Sequence, residues 1–278
     1  MQARQYAQQL MGLLKTLYDE REAENIARYM LDELYGKELL RHNSELTPAQ
    51  YNYLRSLEPR LVSAEPIQYI LERSWFYGRP FFVDRHVLIP RPETEELVEN
   101  IIRRNRLTSP TILDIGTGSG CIAITLQLEI PEAQVTAIDI SPEALAIAKR
   151  NGGSHQPQVA FKQVDILSGD FEEIRGPWNL IVSNPPYVDP ADAISLHPNV
   201  RNFEPHLALF GPQNDPLRFY LAIADFASEH LAPGGQLWLE IPENQDEPIR
   251  NFLQRSGLHS IEVINDLQGK RRMVTAVR

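Results

Sequence analysis

Thr111-Ile112-Leu113-Asp114-Ile115-Gly116-Thr117-Gly118-Ser119-Gly120 is a short apolar run that opens into alternating glycines. The run has the length and composition of a buried strand, and Cys121 to Leu128 after it reads as a helix. Strand, glycine turn and helix in that order let the backbone approach a ligand where side chains would block it. Such glycines are weak evidence alone and gain weight from this context. Val135-Thr136-Ala137-Ile138-Asp139 is the next predicted strand. Asp139 stands where a carboxylate accepts hydrogen bonds from ribose hydroxyls, about 20 residues beyond the glycines. A third strand, 159–164, ends in Asp165, a candidate acceptor for an adenine amino group, with Ile166 beside it as an apolar wall.

The glycine spacing narrows the ligand. A dinucleotide fingerprint needs its last glycine one position later, and that position is Cys121. Gly-x-Gly-x-Gly better suits a nucleoside without a pyrophosphate, and S-adenosylmethionine has that character. Gly116, Thr117, Gly118, Ser119, Gly120, Asp139, Asp165, Ile166 and Asn184 are the expected cofactor-binding residues. Parallel strands place such a ligand beyond their carboxyl ends.

Asn184 leaves a strand at that same edge. Trp178-Asn179-Leu180-Ile181-Val182 reads as buried strand and runs into Ser183-Asn184-Pro185-Pro186-Tyr187. The prolines fix φ and carry no N–H, so the stretch offers acceptors with few competing donors. The Asn184 side-chain oxygen and the Pro185 carbonyl can both accept from one planar –NH2 group, and the Tyr187 ring can stack on a flat substrate face. Asn184, Pro185, Pro186 and Tyr187 are therefore the candidate catalytic residues.

The chain has 278 residues and 42% apolar content, enough for a sizeable core. Its one cysteine, Cys121, fits a reducing compartment, and the N-terminal segment shows neither a signal peptide nor a membrane span. A net charge of −10 disfavours a protein that grips long nucleic acid by its phosphates. A monomer in the cytoplasm, with no stable nucleic-acid or membrane binding, is expected.

The first sixty-odd residues read as a small bundle of three amphipathic helices. Their faces are Tyr6, Leu10, Leu13, Leu14 and Leu17; Ile26, Met30, Leu31 and Leu34; and Tyr51, Leu54, Leu57 and Leu61. Gly36 stops the second helix, and Thr47-Pro48-Ala49-Gln50 opens the third with a capping box. Trp75 to Val83 predicts a hairpin turning at Gly78-Arg79-Pro80. Leu88 to Val98 turns a loop into a helix; Arg91 there could face a carboxylate, and Glu93 or Glu95 a cation. The long irregular stretch from Val188 to Asp215 carries His197, Arg201, Glu204 and His206, whose spacing matches no zinc pattern; no metal is expected. A helix at 217–231, a strand at 236–240, a helix at 245–256 and a terminal hairpin of strands 259–264 and 271–277 complete a parallel α/β sheet.

With these residues in place, the chain resembles the peptide chain release factor glutamine methyltransferases, the protein-(glutamine-N5) methyltransferase family, from end to end. The resemblance rests on Glu65-Pro66-Ile67-Gln68-Tyr69-Ile70, Phe76-x-Gly78, Ile89-Pro90-Arg91-Pro92-Glu93-Thr94-Glu95, Asp114 to Gly120, Asp139-Ile140-Ser141, Ser183 to Tyr187, Glu204-Pro205, Ala208-Leu209 and Asp266-x-x-Gly269-x-x-Arg272. It implies a class I, seven-stranded, Rossmann-like S-adenosylmethionine-dependent methyltransferase domain. The implied organisation is a helical substrate-recognition domain over 1–72, a hairpin linker over 73–90 and a catalytic domain over 91–278. The implied reaction methylates the glutamine side-chain amide of the Gly-Gly-Gln motif in release factors, in translation termination. The alternative is an adenine-amino methyltransferase on DNA or RNA, since Asn-Pro-Pro-Tyr can serve an exocyclic –NH2 equally. This chain departs from the family pattern at Phe210-Gly211 with Asp215-Pro216-Leu217, at Glu240-Ile241-Pro242, and at Ile166, where an aromatic is common.

Overall fold

The computed structural model describes residues 1–155, 157–211, 215 and 217–278. Pro216 of the departing Asp-Pro-Leu stretch, and 212–214 in the segment after Tyr187, lie outside them. The chain divides into two compact units, one of residues 1–73 with 197–203 and one of residues 74–196 with 204–278.

The smaller unit begins with α1 (Ala3–Leu14) and α2 (Glu20–Tyr35). The Asp19 carboxylate accepts from the Glu22 amide at 2.8 Å to start α2, and Gly36, at φ 83°, ends it. A short α3 (Lys37–Arg41) follows, then α4 (Pro48–Val62) and α5 (Ile67–Ile70). Thr47 and Gln50 form the predicted capping box, a device that contributes about 1 kcal/mol to helix stability. Tyr6, Leu10, Leu14, Met30, Leu54 and Leu61 fill the core. Leu13 is exposed instead, because the buried stripe of α1 runs through positions four apart, and Leu17 lies beyond the end of α1. In this unit His197 stacks on Tyr18 with ring centroids 4.9 Å apart.

In the larger unit β1 (Ser74–Phe76) and β2 (Arg79–Phe81) form an antiparallel ribbon. Its turn is Tyr77-Gly78, at φ 50° and 71°, and not the predicted Gly-Arg-Pro; Arg79 and Pro80 belong to β2. Then come α6 (Pro92–Arg104), β3 (Thr111–Ile115), α7 (Cys121–Glu129), β4 (Gln134–Asp139), α8 (Pro142–His155), β5 (Val159–Gln163) and β6 (Trp178–Ser183). The stretch predicted to be irregular holds a 3-10 turn at Pro190–Ser195 and two short helices, α9 (Pro198–Phe203), which groups with the smaller unit, and α10 (His206–Leu209). Last are α11 (Arg218–His230), β7 (Leu231–Glu240), α12 (Asp246–Arg255), β8 (His259–Asn265) and β9 (Arg271–Val277).

The sheet has seven strands in the order β5-β4-β3-β6-β7-β9-β8. β9 runs antiparallel to both its neighbours, and the other pairings are parallel. Helices bury both faces, so the central strands are mostly apolar: Ile112, Leu113, Ile181 and Val182 are all fully buried. Pro233-Gly234-Gly235, read as a turn before a strand, falls inside β7 as an irregularity; the pairing with β6 jumps from Leu231 to Gln236. Strand order reverses between β3 and β6, and a crevice opens beyond the carboxyl ends at such a switch.

Candidate active site

A cleft of about 430 Å³ lies at that switch point. Gly116, Thr117, Gly118 and Ser119 line it from the β3–α7 turn, Asp139 from the end of β4, Asp165 and Ile166 from beyond β5, and Asn184, Pro185 and Pro186 from beyond β6. Residues distant in sequence meet because parallel strands all end on one side of the sheet.

The turn is held from its neighbours. Gly116 and Thr117 both donate their amides to the Ile138 carbonyl at 2.9 Å. Asp139 accepts from the Gly118 amide through Oδ2 and from the Ser141 amide through Oδ1, each at 2.9 Å. Each oxygen keeps a further lone pair for a ligand donor. Burial raises the Asp139 pKa in spite of those bonds. Beneath the turn, Asp114 is fully buried and accepts from the Thr117 hydroxyl at 2.6 Å, and burial pushes its pKa up to about 7.

The glycines divide by function. A Cβ added at Gly118 would meet no protein atom within 4 Å, although its φ of +54° disfavours one. A Cβ at Gly120 would stand 3.0 Å from Ile124 Cδ1 and 3.2 Å from Ala148 Cβ. Gly118 therefore faces the space of the cleft. Gly120 lets α7 pack on α8, and it does not line the cleft. The open glycine turn, the two strand-end carboxylates and the apolar Ile166 wall fit an adenosyl ligand, whose ribose donates and whose base is flat and half apolar.

Tyr187 also lies outside the cleft lining. It packs, half-buried, against the core that Ile181, Tyr220 and Leu239 share, and burial raises its pKa to about 12. The expected stacking of its ring on a flat substrate face is a proposal beside this packing.

Asn184 is held by residues that motif reading did not connect. Its Nδ2 donates to Thr94 Oγ1 at 3.2 Å, and Thr94 Oγ1 donates to Glu240 Oε2 at 2.6 Å. Thr94 stands in the first turns of α6 and Glu240 ends β7, both buried. Burial pushes the Glu240 pKa up to about 7. Thr94 sits in Pro90-Arg91-Pro92-Glu93-Thr94-Glu95 and Glu240 in Glu240-Ile241-Pro242, and no spacing rule links them.

Arg91, also on the cleft wall, meets the carboxylate expected for it: Nη2 donates to Glu204 Oε1 at 2.5 Å, and the Ile89 amide donates to Glu204 Oε2 at 3.3 Å. Glu204 is buried, and burial outweighs Arg91 so that its pKa stays raised. The pair ties the proline-rich loop before α6 to the segment before α10. Glu95 accepts from the Tyr77 amide at 2.9 Å. Among the described residues no cluster of His, Cys, Asp and Glu could hold a metal ion, and no helix is long and apolar enough to cross a membrane.

Similarity to known proteins fits this geometry. The model of the methyltransferase small domain family matches residues 92–198. A release factor glutamine methyltransferase of Bacteroides thetaiotaomicron is 44% identical over 249 residues, covering 89% of this chain and 87% of that protein. The chain belongs to the release factor glutamine methyltransferase family. The relative of that name from Flavobacterium psychrophilum is 38% identical over 282 residues, covering 99% of this chain and 98% of that protein. Among solved structures, a methyltransferase from Pyrococcus furiosus superposes with a TM-score of 0.55 at 17% identity, covering 82% of this chain and 98% of that one. A 16S rRNA methyltransferase of T. thermophilus, solved with AdoMet and guanosine, superposes at 0.52 and 14% identity, covering 74% of this chain and 49% of that one. The family chain thus carries the class I, S-adenosylmethionine-dependent methyltransferase fold.

Proposed function

We propose that this chain methylates the side-chain amide nitrogen of the glutamine in the Gly-Gly-Gln motif of peptide chain release factors. The observation that carries the reading is the junction of two devices in one cleft, the glycine turn of β3 and the donor-poor Asn184-Pro185-Pro186 stretch of β6. Relatives named for this reaction, similar over nearly the whole chain, support the choice of substrate.

Gly116 to Ser119 and Asp139 hold S-adenosylmethionine, with Asp165 and Ile166 at its base. Gly120 contributes through helix packing. The bound cofactor supplies an electrophilic methyl group on a sulfonium sulfur.

An amide nitrogen is a poor nucleophile because its lone pair is delocalised into the carbonyl. Asn184 Oδ1 and the Pro185 carbonyl accept one hydrogen bond each from the substrate –NH2. The pair raises electron density on nitrogen and holds its plane, and positioning of this kind supplies up to about 7–11 kcal/mol of a barrier. No strong base is needed: as the C–N bond forms and the methyl–sulfur bond breaks, leaving a neutral thioether, the N–H becomes acidic and its proton passes to water. The helical unit, residues 1–72, engages the release factor, 73–90 links, and 91–278 carries the chemistry.

Incubation with methyl-labelled S-adenosylmethionine tests this. Label is expected in a release factor and not in an adenine-containing oligonucleotide. Label in the oligonucleotide alone would move the chain to the adenine-amino reading.

A further inference from the structure

An asparagine amide can present either its oxygen or its –NH2 to a ligand, and the two ends differ little in shape. The function above requires the oxygen to face the substrate. Nothing in the Asn-Pro-Pro-Tyr motif decides the matter, because neither proline has an N–H to pin the side chain.

Its neighbours decide it. Thr94 has one hydroxyl proton, and that proton is committed to Glu240 Oε2 at 2.6 Å. Where Glu240 is ionised its carboxylate only accepts, and the direction of this bond is then fixed. Thr94 Oγ1 then has only lone pairs left, and the Asn184 group 3.2 Å away has to be the donor, Nδ2. Its carbonyl oxygen Oδ1 is left for the cleft that Asn184 and Thr94 both line. The three side chains come from just beyond β6, from α6 and from β7, and Thr94 and Glu240 are 3% and 2% exposed, so water does not compete for these bonds.

We propose that Thr94 and Glu240 are positioning residues that set the polarity of the Asn184 amide, so that an acceptor and not a donor faces the substrate nitrogen. The proposal rests on the methyltransferase reading for its consequence in rate and on the geometry alone for the orientation. A flipped Asn184 would direct an N–H at the substrate –NH2, donor against donor, and lose the bond it should make. Glu240 reaches Asn184 through Thr94.

The test combines Thr94→Val, which keeps the shape and removes the hydroxyl, with Thr94→Ser, which restores it. Turnover, S-adenosylmethionine affinity by calorimetry and the Asn184 side-chain –NH2 signals by NMR are measured on the full chain. Thr94→Val is expected to lose about 30-fold in kcat, as loss of one buried hydrogen-bond partner does, with the cofactor Kd unchanged. Thr94→Ser is expected to stay within about threefold of the parent, and Thr94→Val to cost nothing further in an Asn184→Ala background, because residues acting through one group are not additive. Near-parental kcat for Thr94→Val overturns the proposal, as does an equal loss in both backgrounds. If Thr94→Val does not fold, the parent protein decides: slow-exchanging Asn184 –NH2 protons support the arrangement, and exchange at the rate of a free amide overturns it. A parent protein that shows protected Asn184 protons but methylates no release factor would keep the arrangement and sink the function.

Discussion

In the proposed reaction Asn184 accepts a hydrogen bond and neither gains nor loses a proton, and its orientation depends on Glu240, a group that does titrate. Glu240 sits among Arg91, Glu93 and Arg272, and its charge also bears on Tyr187 and Tyr220. Burial is the largest influence and raises its pKa to about 7. Above that pH Glu240 is ionised and accepts from Thr94. Below it a carboxylic acid can donate to Thr94 instead, which lets the Thr94 hydroxyl turn to the Asn184 oxygen and reverses the amide. A kcat–pH profile is therefore expected to fall as pH drops through about 7, and the Thr94→Val profile to be flat there. Stability runs the other way. A folded-state pKa raised above its unfolded value contributes stability that is full below the unfolded pKa and is lost as pH rises through the folded one. The stability of the parent relative to Glu240→Gln is expected to decline from pH 4.5 to about 7, by roughly 3 kcal/mol at most, in urea titrations at a series of pH values. Asp139 and Asn184 were legible as residues because each ends a strand with a polar group that a strand end alone does not require. The Thr94–Glu240 bond was not, since its partners stand 146 residues apart and only the folded sheet brings them together.

The glycine turn is one element with two duties, and its glycines separate them. Gly118→Ala places a methyl in open space at a φ that costs an L-residue about 1–2 kcal/mol. Its main effect is expected in the cofactor site, a loss of at least tenfold in S-adenosylmethionine affinity by calorimetry, equal to about 1.4 kcal/mol. Gly120→Ala adds the same backbone cost to an overlap with Ile124 and Ala148. A loss of about 2–4 kcal/mol in urea unfolding is expected for it, with near-parental affinity in the protein that remains folded. Elements with strong periodicity and clear caps, such as α2, α4 and the β3–α7 unit, are legible in the sequence. α8 is not legible, because its glycines at 152 and 153 and its polar tail mask a helix that Ala144, Leu145, Ile147 and Ala148 anchor to the core. The hairpin turn was misplaced because a tyrosine rarely adopts positive φ, and Tyr77 does so with Glu95 accepting from its amide. The short helices after Tyr187 were invisible because helices of four to six residues do not persist without tertiary contacts.

For the whole molecule, topology and charge bear on different questions. The reversal of strand order between β3 and β6 sets where a ligand must sit, and the alternation of strand and helix patterns in the sequence was enough to foresee the parallel sheet. The net charge of −10 bears on partners. A protein with that balance is expected to show no retention of duplex DNA at physiological salt in a gel-shift assay, and the same assay with retention would favour a nucleic-acid substrate. The distribution of chemistry follows: the larger unit holds every predicted catalytic and cofactor residue.

The proposed reaction turns on an acceptor pair that holds one amide nitrogen in the cleft. The direct measurement is fragment-resolved mass spectrometry of a release factor peptide after reaction with the parent chain and with Asn184→Ala. The parent is expected to add a single methyl group to the side-chain amide of the Gly-Gly-Gln glutamine, and Asn184→Ala to bind cofactor normally yet work at least about 100-fold more slowly. A methyl group on any other residue, or parental rates from Asn184→Ala, would contradict it.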